Sequence, residues 1–233
     1  MASASEIREM FSAIAPQYDR LNRVLSCGVD RSWRKRVAAH LSPLEGKQIL
    51  DLCCGTGDLS LLLAAHGAHV SGLDFAFPML PLARAKAKAR ACSIAWTRGD
   101  AVHVPFASES FDAVTIAFGL RNVVAPEDSI RECCRVLRPG GTLAILEFFE
   151  IENAYFGAIF RAYFHHVLPR IARCFQAASS TAYSYLPQSV ASFASPNEVR
   201  AWMTNAGLQS IADQSLSFGI ARLLSGKLAD NVS

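Results

Sequence analysis

Short apolar segments alternate with helical ones through the middle of this 233-residue chain, and no other feature limits its fold as strongly. Runs rich in apolar and β-branched residues predict five strands, at residues 48–52, 68–73, 93–97, 111–118 and 142–148. Helical spacing predicts helices between them at 59–65, 78–90 and 126–137. Because strands joined by helices make right-handed crossovers, we expect a parallel sheet with helices on both faces.

The two ends of the chain add to this sheet. Apolar residues on one helical face predict helices over residues 5–40, as an N-terminal cap. Residues 149–195 are too long and too aromatic for a plain connection, and we interpret them as a helical insertion or lid. A helix at 196–207 precedes two strands, 208–214 and 216–224, that are close enough to pair antiparallel. Residues 1–233 are therefore expected to form one domain around a mixed seven-stranded sheet.

Composition excludes several classes of protein. With 51% apolar and 18% charged residues the chain can bury a large core, so it is not mainly disordered. A net charge of +3 argues against a nucleic-acid-binding module, which we keep as the non-enzymatic alternative. No apolar run reaches the roughly 18 residues that span a bilayer, and the first residues do not resemble a signal peptide. We therefore expect a cytoplasmic protein.

Two further features of composition bear on partners. The seven cysteines include no Cys-x-x-Cys, so we expect reduced thiols and no metal site. A basic segment runs around Trp33 and contains Arg20, Arg23, Arg31, Arg34, Lys35 and Arg36. We interpret it as a solvated helix face, and peripheral attraction to an anionic inner-membrane surface stays the alternative. The oligomeric state stays open, with a homodimer among the alternatives.

The turn after the first strand carries the first chemical signal. Gly55 and Gly57 have no Cβ, so a ligand can approach their backbone at the start of the next helix. A dinucleotide fold would have a third glycine where this chain has Ser60. Asp58 would also repel a pyrophosphate at that helix N-terminus. The turn therefore favours a cationic or zwitterionic nucleoside such as S-adenosylmethionine over NAD.

Two later loops complete a candidate nucleoside site. Asp74 ends the second strand, 17 residues after Gly57, where its carboxylate can accept hydrogen bonds from ribose hydroxyls; the alternative is a solvated turn residue. After the third strand, Asp100 can accept from the adenine amine while the N–H of Ala101 donates to the ring. Loops at the carboxyl ends of neighbouring parallel strands meet at one crevice.

Several longer strings carry a more specific signal than the glycine turn. The most specific is residues 111–123, which contains Phe118-Gly119-Leu120-Arg121-Asn122, and residues 135–141 follow it. The others are Tyr18-Asp19 with Asn22, His166-Val167-Leu168-Pro169 and Tyr183-Ser184-Tyr185-Leu186. Together these strings resemble one known family, the ubiquinone/menaquinone-biosynthesis C-methyltransferases, which are class I enzymes that use S-adenosylmethionine. The resemblance extends from about residue 11 to about residue 226 and implies a Rossmann-like α/β fold.

The resemblance implies methylation of a ring carbon of a polyprenylated quinol. The main hypothesis is conversion of demethylmenaquinol to menaquinol, and the alternative is the polyprenyl methoxy-benzoquinol of ubiquinone biosynthesis. Thr56 joins Gly55, Gly57, Asp74, Asp100 and Ala101 at the cofactor positions, and Arg121 and Asn122 match positions that act on the quinol. A guanidinium stays protonated, so Arg121 cannot act as a general base. We expect it either to stabilise the developing oxyanion or to orient a water molecule that acts as the base. The alternative for Arg121 is a salt bridge at the end of the fourth strand.

The insertion is rich in aromatic residues, and a few positions elsewhere depart from the family pattern. The insertion's aromatic residues either line a tunnel for the isoprenoid tail or pack between helices; they are Phe156, Phe160, Tyr163, Phe164 and Phe175. His165 and His166 lack a third metal ligand. The departures are Phe75-Ala76, Ala117, Gln188, Leu224 and Cys53-Cys54. They affect expected cofactor contacts rather than the reaction class.

Overall fold

A computed structural model describes residues 4–15, 18–26, 28–151 and 180–230, and its centre is a seven-stranded sheet. The strand order is β3-β2-β1-β4-β5-β7-β6. The first five strands are parallel, and β7 runs antiparallel to both β5 and β6, so β6 points the same way as β5. The strands are β1 Gln48–Leu52, β2 His69–Asp74, β3 Ala95–Arg98, β4 Phe111–Ala117, β5 Leu137–Phe148, β6 Leu208–Leu216 and β7 Ala221–Leu228. The predicted mixed seven-stranded sheet is confirmed.

Helices cover both faces because side chains alternate along each strand. Leu50 and Leu52 of β1 face one layer, which contains α6 and α8, whereas Ile49, the residue before Leu50, faces α3 and α4. The described helices are α1 Ala4–Ile14, α2 Tyr18–Leu25, α3 Asp30–His40, α4 Asp58–Ala64, α5 Met79–Ala89, α6 Pro126–Val136, α7 Ser180–Ala191 and α8 Pro196–Asn205. The chain therefore has the α/β architecture that its alternation of strands and helices predicts.

Two of the predicted strands, β5 and β7, have limits that differ from the observed ones by several residues. β5 begins at Leu137, five residues early, because the chain pairs with Phe111 directly after α6 and passes through an irregular register at Gly140-Gly141. The last strand is Ala221–Leu228 rather than 216–224. A 3-10 turn at Ser217–Gly219 separates it from β6, and its polar end, at residues 225–228, lacks the apolar pattern that would have revealed it.

The N-terminal cap and the insertion are described only in part. α1, α2 and α3 confirm helices within residues 5–40. The basic segment is mostly exposed, as expected, but Arg34 is buried in an ion pair with Asp30, so the predicted solvated face is wrong at that residue. Of the insertion, α7 is described, whereas all the aromatic and histidine residues singled out there lie outside the described residues. Among the helices that the structure describes, none is long and apolar enough to cross a bilayer.

Candidate active site

A cavity of about 300 Å³ opens at the carboxyl edge of the sheet. It lies beside β1 and β4, where the strand order reverses, and open α/β sheets bind their ligands at such a point. Five predicted site residues contribute to its lining: Gly55, Asp74, Asp100, Ala101 and Asn122. Three others, Thr56, Gly57 and Arg121, lie outside that lining.

Asp74 is buried at the end of β2 and organises the turn after β1. Its Oδ2 accepts from the Gly55 N–H at 2.7 Å, and its Oδ1 accepts from the Ala76 N–H at 2.8 Å. Burial raises the pKa of this carboxyl, and the two N–H donors offset that rise only in part. Each carboxylate oxygen retains a lone pair for a further donor. A pair of ribose hydroxyls is the kind of donor that this buried, cation-free carboxylate can accept.

The two glycines of the turn do different things. Gly55 lines the cavity with φ +55°, and a Cβ there would lie 3.6 Å from the Tyr18 ring. Gly57 has φ +81°, and a Cβ there would lie 2.5 Å from the Trp96 indole. The sequence predicted that a ligand approaches the backbone of both glycines. Trp96, on β3, occupies the space on the Cβ side of Gly57, and approach of a ligand to the Gly57 backbone stays a prediction.

Thr56 belongs to a charged network that the sequence pattern did not reveal. Its hydroxyl donates to Asp19 Oδ1 at 2.5 Å and accepts from Lys86 Nζ at 2.9 Å. Lys86 also contacts Asp19 Oδ2 at 2.5 Å and Asp58 Oδ1 at 2.7 Å. The network therefore joins the N-terminal helix α2 to the glycine turn and to α5. The only signal in the sequence was Tyr18-Asp19, and it did not indicate Lys86 as the partner.

Lys86 also changes the electrostatics at the start of α4. Burial raises the pKa of Asp58, but the hydrogen bond and charge of Lys86 outweigh burial and hold that pKa below its ordinary value. Asp58 is therefore an ionised carboxylate with a cation beside it. The repulsion of a pyrophosphate that the sequence pattern attributed to Asp58 is accordingly weakened.

Replacing Lys86 by methionine should loosen the N-terminal cap. The Lys86→Met change leaves Asp19 and Asp58 without their shared cation, and we expect cofactor affinity to fall roughly threefold to tenfold. Amide hydrogen exchange in Tyr18–Leu25 should become faster. Lys88→Met, two residues along the same helix at an exposed position, is the matched control and should change neither. Equal behaviour of the two variants would contradict this role of the network.

Ser60 explains why this turn needs no third glycine. Its buried hydroxyl donates to Asp51 Oδ2 at 2.5 Å, and Thr115 donates to Asp51 Oδ1 at 2.9 Å. These contacts join α4 to β1 and β4. Burial raises the pKa of Asp51 to about 6 in spite of both hydroxyls. The serine is small enough for close packing and also satisfies a buried carboxyl.

Asn122 marks the other end of the cavity. It lies in the 3-10 turn Leu120–Asn122 after β4, and its Nδ2 donates to Phe118 O at 3.2 Å. Its Oδ1 accepts from the Tyr185 hydroxyl of α7 at 2.9 Å. The Tyr185 ring makes an edge contact with Phe11 of α1. Two of the family strings thus meet here with the first helix, and one Nδ2 hydrogen of Asn122 has no acceptor among the described residues.

Arg121 is held in a buried ion pair behind this turn. Its Nη1 donates to Glu147 Oε1 at 2.5 Å and to Phe118 O at 2.8 Å, and its guanidinium lies over the Phe148 ring. Glu147, at the end of β5, is fully buried. The salt bridge that the sequence left open as the alternative is therefore present. Nη2 has no hydrogen-bond partner within the described ranges.

The charge of Arg121 nevertheless reaches the cavity. Burial raises the pKa of the Tyr185 phenol, and Arg121 counteracts this rise electrostatically. Tyr18, which lines the cavity, shows the same opposition: burial raises its pKa, while Asn22 and then Arg121 lower it. The charge of Arg121 therefore favours the ionised form of both phenols, and Glu147 opposes it at Tyr185. The direct action of Arg121 on a quinol stays a prediction.

The remaining cavity wall is apolar and comes partly from α1. Phe75, one of the departures from the family pattern, lines the cavity and carries the Arg8 guanidinium 5.6 Å above its ring. Further apolar side chains of the wall include Ile7, Phe11, Leu73, Met79, Val102, Phe118, Val123 and Val124. None of the predicted site residues lies on α1, although this helix contributes Ile7, Arg8 and Phe11 to the lining. The cavity thus has two carboxylates on one side, Asn122 at the other end and a mainly apolar wall between them.

Comparison with known proteins places this geometry in a family. Residues 1–227 match the model of the ubiE/COQ5 methyltransferase family. The chain is 45% identical over 222 residues to a demethylmenaquinone methyltransferase of Deinococcus radiodurans, covering 94% of this chain and 91% of that one. A protein of the same name from Thermus thermophilus is 46% identical over 216 residues, covering 92% and 97%. The ubiquinone/menaquinone biosynthesis C-methyltransferase UbiE of Geotalea daltonii is 40% identical over 227 residues, covering 95% and 96%.

Solved structures agree on the fold. An S-adenosylmethionine-dependent methyltransferase of Thermotoga maritima superposes with a TM-score of 0.68 at 19% identity, covering 94% of this chain and 98% of that one. The [4+2]-cyclase SpnF superposes with a TM-score of 0.71 at 16% identity, covering 98% and 97%. Because a cyclase shares the architecture, the fold alone does not define the activity, which depends on the residues of the site. With its class I methyltransferase fold and a match along nearly its whole length, the chain belongs to the ubiE/COQ5 methyltransferase family, whose methyl donor is S-adenosylmethionine.

Proposed function

We propose that this protein transfers a methyl group from S-adenosylmethionine to a ring carbon of demethylmenaquinol, which gives menaquinol. One observation carries the proposal: a single cavity joins the Asp74 and Asp100 loops to an apolar wall that ends at Asn122, whose Oδ1 accepts from the Tyr185 hydroxyl. The end of the cavity at the Asp74 and Asp100 loops suits a nucleoside, and the apolar wall suits a hydrophobic aromatic ring. The names of the relatives in Deinococcus and Thermus support the naphthoquinol as substrate.

The residues at the carboxylate end fit the cofactor. Asp74 is a buried acceptor with no cation partner among the described residues, as a ribose diol requires. Asp100 and Ala101 lie in the next loop, where an adenine can receive a carboxylate acceptor and a backbone donor. Gly55 presents bare backbone to the same cavity. Thr56 contributes indirectly, because its hydroxyl is occupied by Asp19 and Lys86.

Bound S-adenosylmethionine would supply an electrophilic methyl carbon and leave as S-adenosylhomocysteine. The quinol supplies a ring carbon made nucleophilic by loss of a hydroxyl proton, and the hydrogen on that carbon leaves as a proton after methylation, so that one proton is released overall. The chain's own task is to hold the two together, to exclude water and to stabilise the negative quinol oxygen. Asn122, at the end of the cavity away from the carboxylates, supplies a hydrogen-bond donor to the quinol oxygen through the second hydrogen of Nδ2. Arg121 supplies positive charge from behind the turn, since a guanidinium keeps its proton throughout.

The apolar wall makes the site selective for a hydrophobic ring. The aromatic rings of Phe11 and Phe118 and the aliphatic side chains around them exclude water from the reacting carbon. An electron-rich quinolate next to a sulfonium would be stabilised by water as separate ions, so a dry site favours their reaction. These side chains also extend the cavity toward α1, where an isoprenoid tail has room to leave.

The test is methyl transfer from labelled S-adenosylmethionine to chemically reduced demethylmenaquinone, with the reduced benzoquinone precursor in parallel and the product identified by mass. We expect label in the naphthoquinol. The oxidised naphthoquinone is the matched control and should accept no methyl, because its ring is electron-poor. Label in the benzoquinol alone would establish the alternative substrate. If neither ring accepts methyl while the protein still binds the cofactor, the proposed substrate is wrong.

A further inference from the structure

Four large hydrophobic side chains are exposed in the part of the chain that the structure describes: Val29, Phe77, Val124 and Phe218. All four lie at one edge of the sheet. Phe77 follows β2 and Val124 follows β4, where it lines the cavity. Phe218 follows β6, which points the same way as β5. Soluble proteins rarely concentrate exposed apolar side chains on the edge that carries the active site unless that edge has a partner.

Val29 and Phe218 are joined through Trp33. The Trp33 indole donates to Ser217 Oγ at 3.0 Å, and its backbone N–H donates to Val29 O at 3.1 Å. Its ring packs against Phe148 at the carboxyl end of β5. The turn at Ser217 and Phe218 has φ angles of +47° and +61°, a region that favours glycine. The chain nevertheless has phenylalanine there, with 74% of its surface exposed.

The helices beside this pair expose only positive charge. Both acids between Tyr18 and His40 are held internally: Asp19 pairs with Lys86 and Asp30 with Arg34. The exposed charged side chains of α2 and α3 are all basic, namely Arg20, Arg23, Arg31, Lys35 and Arg36. Glu150, exposed after β5, offsets this charge only in part. Apolar tips flanked by the exposed basic side chains of Arg31 and Lys35 match a surface that has negative headgroups over hydrocarbon.

We propose that Val29, Arg31, Lys35 and Phe218 form a docking surface for an anionic lipid bilayer. Phe218 and Val29 insert into the headgroup region. The charged ends of the Arg31 and Lys35 side chains contact lipid phosphates, while their aliphatic parts lie along the apolar surface. The docked protein presents the mouth of its cavity to the membrane, since Val124 and Phe77 lie at the same edge. This assignment of a physiological role rests on the proposed function, because a polyprenylated quinol is dissolved in the bilayer.

The experiment is co-sedimentation of the full-length protein with vesicles of phosphatidylcholine alone or mixed equally with phosphatidylglycerol. We expect binding to the anionic vesicles only. Reversing two charges, in Arg31→Glu/Lys35→Glu, should lower the partition coefficient at least about tenfold. Phe218→Ser should lower it as well without any change in charge. The matched control is Lys88→Glu/Lys227→Glu, at the last turn of α5 and on β7 opposite the start of β5, which makes the same charge change at the other edge.

Two results would overturn the docking surface. One is equal binding to neutral and anionic vesicles. The other is an equal loss in the control variant, which would make the attraction a property of net charge rather than of this surface. No quinol is present in the assay, so the docking surface and the proposed substrate can fail separately. Methyl transfer to a detergent-solubilised quinol should be unchanged in Phe218→Ser, and failure of wild type to methylate that quinol would affect the substrate alone.

Discussion

Asp74→Ala is expected to weaken binding of S-adenosylmethionine by about 10- to 150-fold, corresponding to the roughly 1.5–3 kcal/mol of hydrogen bonds to a charged acceptor. The carboxylate is buried, has no cation beside it in the part of the chain that the structure describes, and is preorganised by the Gly55 and Ala76 N–H groups. Removing it takes away the ribose acceptor and releases both N–H groups. Isothermal titration calorimetry with the purified protein measures the change.

The control separates the ribose contact from damage to the turn. S-adenosylhomocysteine and its 2′-deoxy analogue should bind wild type with different affinities and bind Asp74→Ala with nearly the same one. Asp112→Ala removes a carboxylate at the opposite edge of the sheet, where it accepts from Gln48 N–H and Arg138, and should leave cofactor affinity within about twofold of wild type. An equal penalty for the deoxy analogue in wild type and Asp74→Ala would show that Asp74 does not contact the ribose.

The sequence predicted the sheet well because the pattern that specifies it is local. Each buried strand is an apolar run of a few residues with a turn after it, and β1 and β4 are found within one residue of their predicted limits. Asp74 was found in the same way, since an acidic residue directly after an apolar strand must lie at the carboxyl edge. Where the pattern was weak, as in the polar end of β7, the prediction was wrong by several residues.

Contacts between distant segments could not be predicted from local pattern. Lys86 is one of several basic residues that alternate along α5, and only the fold brings it to Asp19, Thr56 and Asp58. Trp96 beside Gly57 is a similar case, because the space beside a glycine can be filled by a ligand or by the protein itself. Glu147 did give a local signal, since it is an acid in the apolar strand β5, but its partner Arg121 is 26 residues away.

Arg121→Ala is expected to have the largest effect of any single change at the site. Glu147 is fully buried, so removing Arg121 leaves an unpaired carboxylate in the core and should lower the free energy of unfolding by about 3–5 kcal/mol. The loss of positive charge behind Asn122 should also lower kcat at least about tenfold, while cofactor affinity changes little. Urea denaturation gives the first quantity, and turnover with a correction for the folded fraction gives the second.

A double variant distinguishes the structural role of Arg121 from its electrostatic one. Arg121→Met/Glu147→Leu replaces the pair by apolar side chains and should recover most of the stability, because a buried ion pair contributes little beyond a well-packed apolar pair. Its kcat should stay low, since the quinolate oxygen still lacks a nearby cation. Arg131→Ala breaks an exposed pair on α6 and should leave both quantities near wild type. If kcat recovers together with stability in the double variant, Arg121 only holds the 118–122 turn in place, and the developing negative charge must be stabilised by Asn122 and its neighbours alone.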